Sequence, residues 1–148
     1  MTISKYLVPL ALAAFLPMVA HAAGLEGLDI VTATGTHHFE VEVMHTDPEL
    51  ERGLMNRHFM PADHGMLFDF GKVKPVMMWM KNTYIPLDMV FINPHGKVIN
   101  IIDNAEPLSE TVLPSSRPAL AALEINGGIA AKIGLKAGDQ IIDPLFQK

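Results

Sequence analysis

Four short apolar segments crowd the middle of the chain, and their spacing constrains the fold more than any other feature. "MLFDF" (66–70), "VMMWMKN" (76–82), "LDMVFI" (87–92) and "KVINIID" (97–103) are too short for independent helices and are separated by turn-forming residues. Each is predicted to be a strand. "NPHG" between the last two predicts a hairpin connection, with Pro94 suited to the second turn position and Gly96 to a positive φ. Upstream, "HHFEVEVM" (37–44) alternates, with His37, Phe39, Val41 and Val43 on one side and His38, Glu40, Glu42 and Met44 on the other. Downstream, "ALAALEIN" and "QIID" add strands around a short helix, "IAAKIG". The predicted fold is therefore mainly β (a β-rich α+β chain), a compact antiparallel sandwich or small barrel with one or two short helices.

Local signals sharpen that outline. In "HTDPELERGLMNR", Thr46 and Glu49 fit a capping box and Pro48 suits a first turn, predicting a short helix over 47–56. Gly53 within it costs about 1 kcal/mol relative to alanine, which points to a close backbone approach or an early helix end. The proline-rich "AEPLSETVLPSSRP" (105–118) reads as a long loop. Segment 76–82 is apolar on both sides, so it is expected to be central and covered on both faces.

The first 22 residues carry Lys5, an apolar run and "AHA" at 20–22, the pattern of a cleaved signal peptide. The run is interrupted by Pro9 and Pro17 and falls short of the roughly 20 residues that span a bilayer. A single domain over 23–148, exported to the periplasm or secreted, with no membrane span after cleavage, is the expectation. The chain contains no cysteine, which excludes thiol nucleophiles, thiolate metal sites and disulfides. A net charge of −5 without clustered Lys and Arg argues against nucleic acid as a partner.

Together, "ERGLMNR", "GMLFDF", "WMKNTYIPLDMVFI", "GKVINI", "LEINGG" and "GLKAGD" resemble the DUF192 family, a domain of unknown function. The resemblance implies a compact, mainly antiparallel β domain, often exported, and no defined activity beyond a loose link to carbohydrate metabolism. Met78 stands where the family often has an aromatic residue before the tryptophan.

The candidate site centres on Trp79, the single tryptophan. Its indole is expected to floor a pocket rimmed by Lys81, Asn82 and Asp88, an apolar plate with directional hydrogen-bonding groups around it. Arg52 and Arg57 are five residues apart, about 140° on a helix, so both cannot aim at one target. One is expected to hold a structural carboxylate, with a pair from Arg52 to Asp88 or Glu124 as the plain reading. In the sharper one, Arg52 faces a cleft for an anionic or hydroxylated ligand. Arg52, Trp79, Lys81, Asn82 and Asp88 thus form the predicted ligand-binding set, and the ligand class is a carbohydrate or an acidic metabolite.

Two other readings are carried. Asp88 and Glu124 could perform glycosidic acid and base chemistry if they faced each other across a groove. Alternatively, Met77, Met78 and Met80 could offer thioethers to Cu(I), with a histidine nitrogen nearby. The chain has no GxSxG elbow, HExxH helix or phosphate-binding loop. No catalytic residue, metal ligand or cofactor is assigned, and the oligomeric state is not specified.

Overall fold

The computed structural model of the protein describes residues 24–147. The expected signal peptide lies outside the described residues. The described residues form nine strands: β1 (Leu25–Thr32), β2 (Gly35–Met44), β3 (His64–Lys74), β4 (Met77–Met78), β5 (Leu87–Ile92), β6 (Val98–Ala105), β7 (Leu113–Pro114), β8 (Ala119–Asn126) and β9 (Gln140–Ile142). Two short helices, α1 (Asp47–Arg52) and α2 (Ile129–Lys132), complete the regular structure with a 3-10 turn at Pro144–Phe146. Among the described residues, no helix is long and apolar enough to cross a membrane.

Seven strands form one sheet in the order β6-β5-β8-β3-β2-β1-β9, antiparallel except where β2 meets β3. A parallel pair needs a crossover, and the segment carrying α1 supplies it. The sheet curls until its two edge strands meet at one end. There the amide of Val98 donates to the Asp139 carbonyl at 3.0 Å and that of Ile141 to the Gly96 carbonyl at 2.8 Å. Gly96, at φ 72°, is required for this closure, because a Cβ would collide with the Ile141 carbonyl. The mainly β, barrel-like expectation holds.

Strand alternation sends side chains to two cores. Leu28, Ile30, Phe39, Val41, Leu67 and Leu123 fill the concave side. Met66, Phe68, Met89, Phe91 and Ala122 point to the other face, which is covered by Leu54 after α1 and by Val76, Met80 and Ile85. The candidate site develops on this second face.

Three local expectations are corrected. First, α1 ends at Arg52 rather than continuing to 56. Gly53 adopts φ 45° and ψ −131°, and a Cβ there would lie 3.0 Å from the Phe68 ring, so the glycine both stops the helix and lets it settle onto the sheet. The capping box is present, with Glu49 accepting from the Thr46 amide at 3.0 Å. Second, segment 76–82 is not a central strand. Only Met77 and Met78 pair, with β7, in a separate ribbon outside the large sheet. Alternation survives within it, since Val76 and Met80 are buried while Met77 is 72% exposed and Trp79 47%. Third, the 105–118 segment is not wholly loop, because it supplies β7 as the partner of that ribbon.

Candidate functional site

The stretch around Trp79 is held by loops rather than by the sheet. The Met80 amide donates to the Ser109 carbonyl at 2.9 Å, and the Leu108 amide to the Thr83 carbonyl at 3.0 Å. From the other side, the Asn56 amide reaches the Asn82 carbonyl at 2.8 Å. Asn82 takes a left-handed conformation, φ 54°, which an asparagine tolerates better than most residues. Buried Met80 is the hydrophobic anchor of the turn.

This arrangement leaves two adjoining clefts between α1 and the 77–83 segment. One, of about 310 Å³, is walled by Phe68, Phe70, Met77 and Met78 and reaches Arg52 and Glu124. The second, about 580 Å³ and shallower, runs past Met55, Asn56, Lys81 and Asn82. Arg52 and Trp79 line both. The ammonium of Lys81 sits 5.2 Å from the indole centroid, as expected for a lysine whose stem follows the ring, and Lys74 sits 4.9 Å from that of Phe70.

The structure therefore brings Arg52, Trp79, Lys81 and Asn82 together. Asp88 is not brought to them. It is fully buried and accepts hydrogen bonds from three backbone amides: Asn104 at 2.8 Å, Gly128 at 3.0 Å and Ala130 at 2.8 Å. Its role is to tie β5 to the end of β6 and the start of α2, which is why an acidic residue can stand in an apolar strand.

The expected pairing of Arg52 with Asp88 or Glu124 is also absent. Arg57 is the arginine with a structural partner: both guanidinium nitrogens contact the Glu42 carboxylate of β2, and this hydrogen bonding holds Glu42 below the usual carboxylate range. Arg52 forms no ion pair within 4.0 Å among the described residues.

Glu124 is the feature that residue spacing understated. On β8 it stands in register between Met66 of β3 and Met89 of β5, on the face opposite to the barrel interior. It is 4% exposed, has no hydrogen-bond partner among the described residues, and lines the base of the first cleft. Burial alone pushes its carboxyl up to about 8. The signal was visible as a single acid in "ALAALEIN".

Register also removes the two-carboxylate reading. Met89 lies opposite Glu124 and Asp88 lies opposite Ile125, so the two acids project from opposite faces of the sheet. They cannot face each other across a groove. The methionine reading loses its geometry too: Met80 is enclosed, and no histidine lines either cleft beside Met77 and Met78.

A curled β-sheet carrying a lateral, aromatic-walled cleft defines a small β domain with a pocket on its outer face. The chain belongs to the DUF192 family, described as "Uncharacterized ACR", whose model matches residues 29–142. Two solved structures are similar. A candidate transcription regulator from Sinorhizobium meliloti 1021 is 45% identical with a TM-score of 0.79, covering 81% of this chain and 94% of that one. A protein of unknown function from Novosphingobium aromaticivorans DSM 12444 is 38% identical with a TM-score of 0.81, covering 88% and 91%. No curated protein matches the chain.

Proposed function

We propose that the protein is a non-catalytic binder of a small polar ligand bearing an acidic group, seated between α1 and the 77–83 segment. The observation that carries this reading is the juxtaposition of an unpaired Arg52 with a half-exposed Trp79 at the junction of two clefts. A guanidinium with no carboxylate within 4.0 Å among the described residues offers two parallel donors to a ligand's own, and the indole supplies an apolar plate beside them. Catalysis lacks comparable support, because the one buried acid in the cleft has no second titratable group against it.

Tryptophan fluorescence tests the proposal directly, since Trp79 is the sole indole. Titration with organic acids and sugars should give a saturable change for at least one acid. Arg52→Ala should weaken that binding about 10- to 100-fold, the range of a lost charge-assisted contact. A silent indole across the series, or unchanged affinity in the variant, would refute the reading.

The regulator description of the S. meliloti relative raises nucleic acid as an alternative partner. The acidic balance of this chain, 16 Asp and Glu against 11 Lys and Arg, weighs against it. Export belongs to the same proposal, resting on the pattern of residues 1–22. Expressed with its leader, the protein should be recovered outside the cytoplasm with Ala23 as its first residue; an intact Met1 on the recovered chain would contradict export.

A further inference from the structure

We propose that the first cleft is shaped for a free α-amino acid with an apolar side chain, its ammonium on the Glu124 carboxylate and its own carboxylate on Arg52. The inference rests on the reading of that cleft as the ligand site and specifies the chemistry within it.

An acid and a base line one cavity without an ion pair to each other or to any other described residue: Glu124 at the base and Arg52 on the helix side. A buried carboxyl with no partner is costly, and a ligand that supplies the missing partner recovers that cost on binding. A neutral sugar could meet Glu124 but would leave the guanidinium unmatched. A simple organic acid would satisfy Arg52 and leave Glu124 bare. A molecule carrying both charges meets both.

The walls agree with an ammonium and an apolar body. Phe68, Phe70 and Trp79 line it with aromatic rings, and Met77 and Met78 with polarisable thioethers. Two rings already carry an ammonium of the protein itself, Lys74 on Phe70 and Lys81 on Trp79. A cavity of about 310 Å³ is of the size that small ligands fill.

Other titratable groups line the same cleft. Asp47, Glu51 and Arg52 face the cleft from α1, and Lys74 faces it from β3. From the 77–83 segment, the polar contributor is Thr83, which does not titrate here. None of these groups forms an ion pair with Glu124. Because burial favours the neutral acid, capture of the ammonium at neutral pH requires Glu124 to release its proton. Affinity should rise from pH 6 to pH 8 with net proton release.

L-Phenylalanine, N-acetyl-L-phenylalanine and L-phenylalaninamide serve as the probes, read by Trp79 fluorescence and by calorimetry in two buffers of different ionisation heat. The free amino acid should bind saturably, and removing either ligand charge should weaken binding by about tenfold or more. Glu124→Gln should erase the preference for the free amine over the acetylated form. Equal binding of N-acetyl-phenylalanine and phenylalanine to the wild-type protein would overturn the inference while leaving an Arg52 acid site standing. Equal binding of the amide would overturn it too, since Arg52 would then read nothing. Failure of phenylalanine, methionine and leucine alongside a response to other acids would sink this inference alone, whereas silence toward every acid and sugar would remove the broader proposal with it.

Discussion

Glu124→Gln is expected to become steadily more stable relative to the wild-type protein as pH rises from about 4.5 to about 8, the two ends of the window set by the ordinary and the buried carboxyl. In the folded wild-type chain the acid keeps its proton through this window, whereas in the unfolded chain it releases it. Folding therefore binds a proton, and the favourable contribution of the neutral acid is fully present below 4.5 and lost as pH climbs toward 8. Each pKa unit is worth about 1.4 kcal/mol, so the full separation sets a ceiling of roughly 5 kcal/mol. Glutamine has no proton to lose and is insensitive across the window. Urea unfolding of both proteins at pH 5, 6.5 and 8 checks this. A difference that stays constant over the three values would show that Glu124 ionises normally in the fold.

Asp88→Ala is expected to destabilise the protein by about 3 to 6 kcal/mol, because three backbone donors would be left in or near the interior without acceptors. That loss falls at the place where β5, the end of β6 and the first residues of α2 are joined. Asp88→Asn should cost less. An amide oxygen at the Oδ1 position still accepts from Asn104 and Gly128, while the amide nitrogen would oppose the Ala130 donor now held by Oδ2. Urea midpoints should rank wild type above Asn above Ala, and a loss under about 1 kcal/mol for alanine would mean that water replaces the carboxylate.

Much of the scaffold was legible because the strands bury their faces in simple alternation. β2, β5, β6 and β8 all fall within a few residues of their expected limits, and the hairpin at Asn93–Lys97 closes as "NPHG" predicts. β1 was not anticipated. Its outer half carries Glu26 and Gly27, and only Leu28 and Ile30 reach the core, leaving too short an alternating run to stand out. Segment 76–82 misled for the converse reason, since its apolar residues on both sides suggest a covered strand although Met77 and Trp79 are exposed. Hydropathy does not separate a wall of a cleft from a wall of a core.

The site was legible in its exposed members and not in its buried one. Trp79, Lys81 and Asn82 share one short segment and were read together from local pattern, whereas Arg52, at the end of α1, was singled out by its chemistry and is brought beside them by the fold. Deciding between Asp88 and Glu124 needed strand register, which fixes the face of each acid and cannot be read from either segment alone. Asp88 then proves to be a fastening for backbone amides, and Glu124 the acid in the cavity.

Trp79 owes its place to amide and carbonyl contacts contributed by chain both before and after it, at Asn56, Leu108 and Ser109, and not to the ladder of the large sheet. The pocket is consequently a clasp fitted to the side of a barrel. Substitutions in the clasp can therefore reshape the cleft without rewriting the barrel.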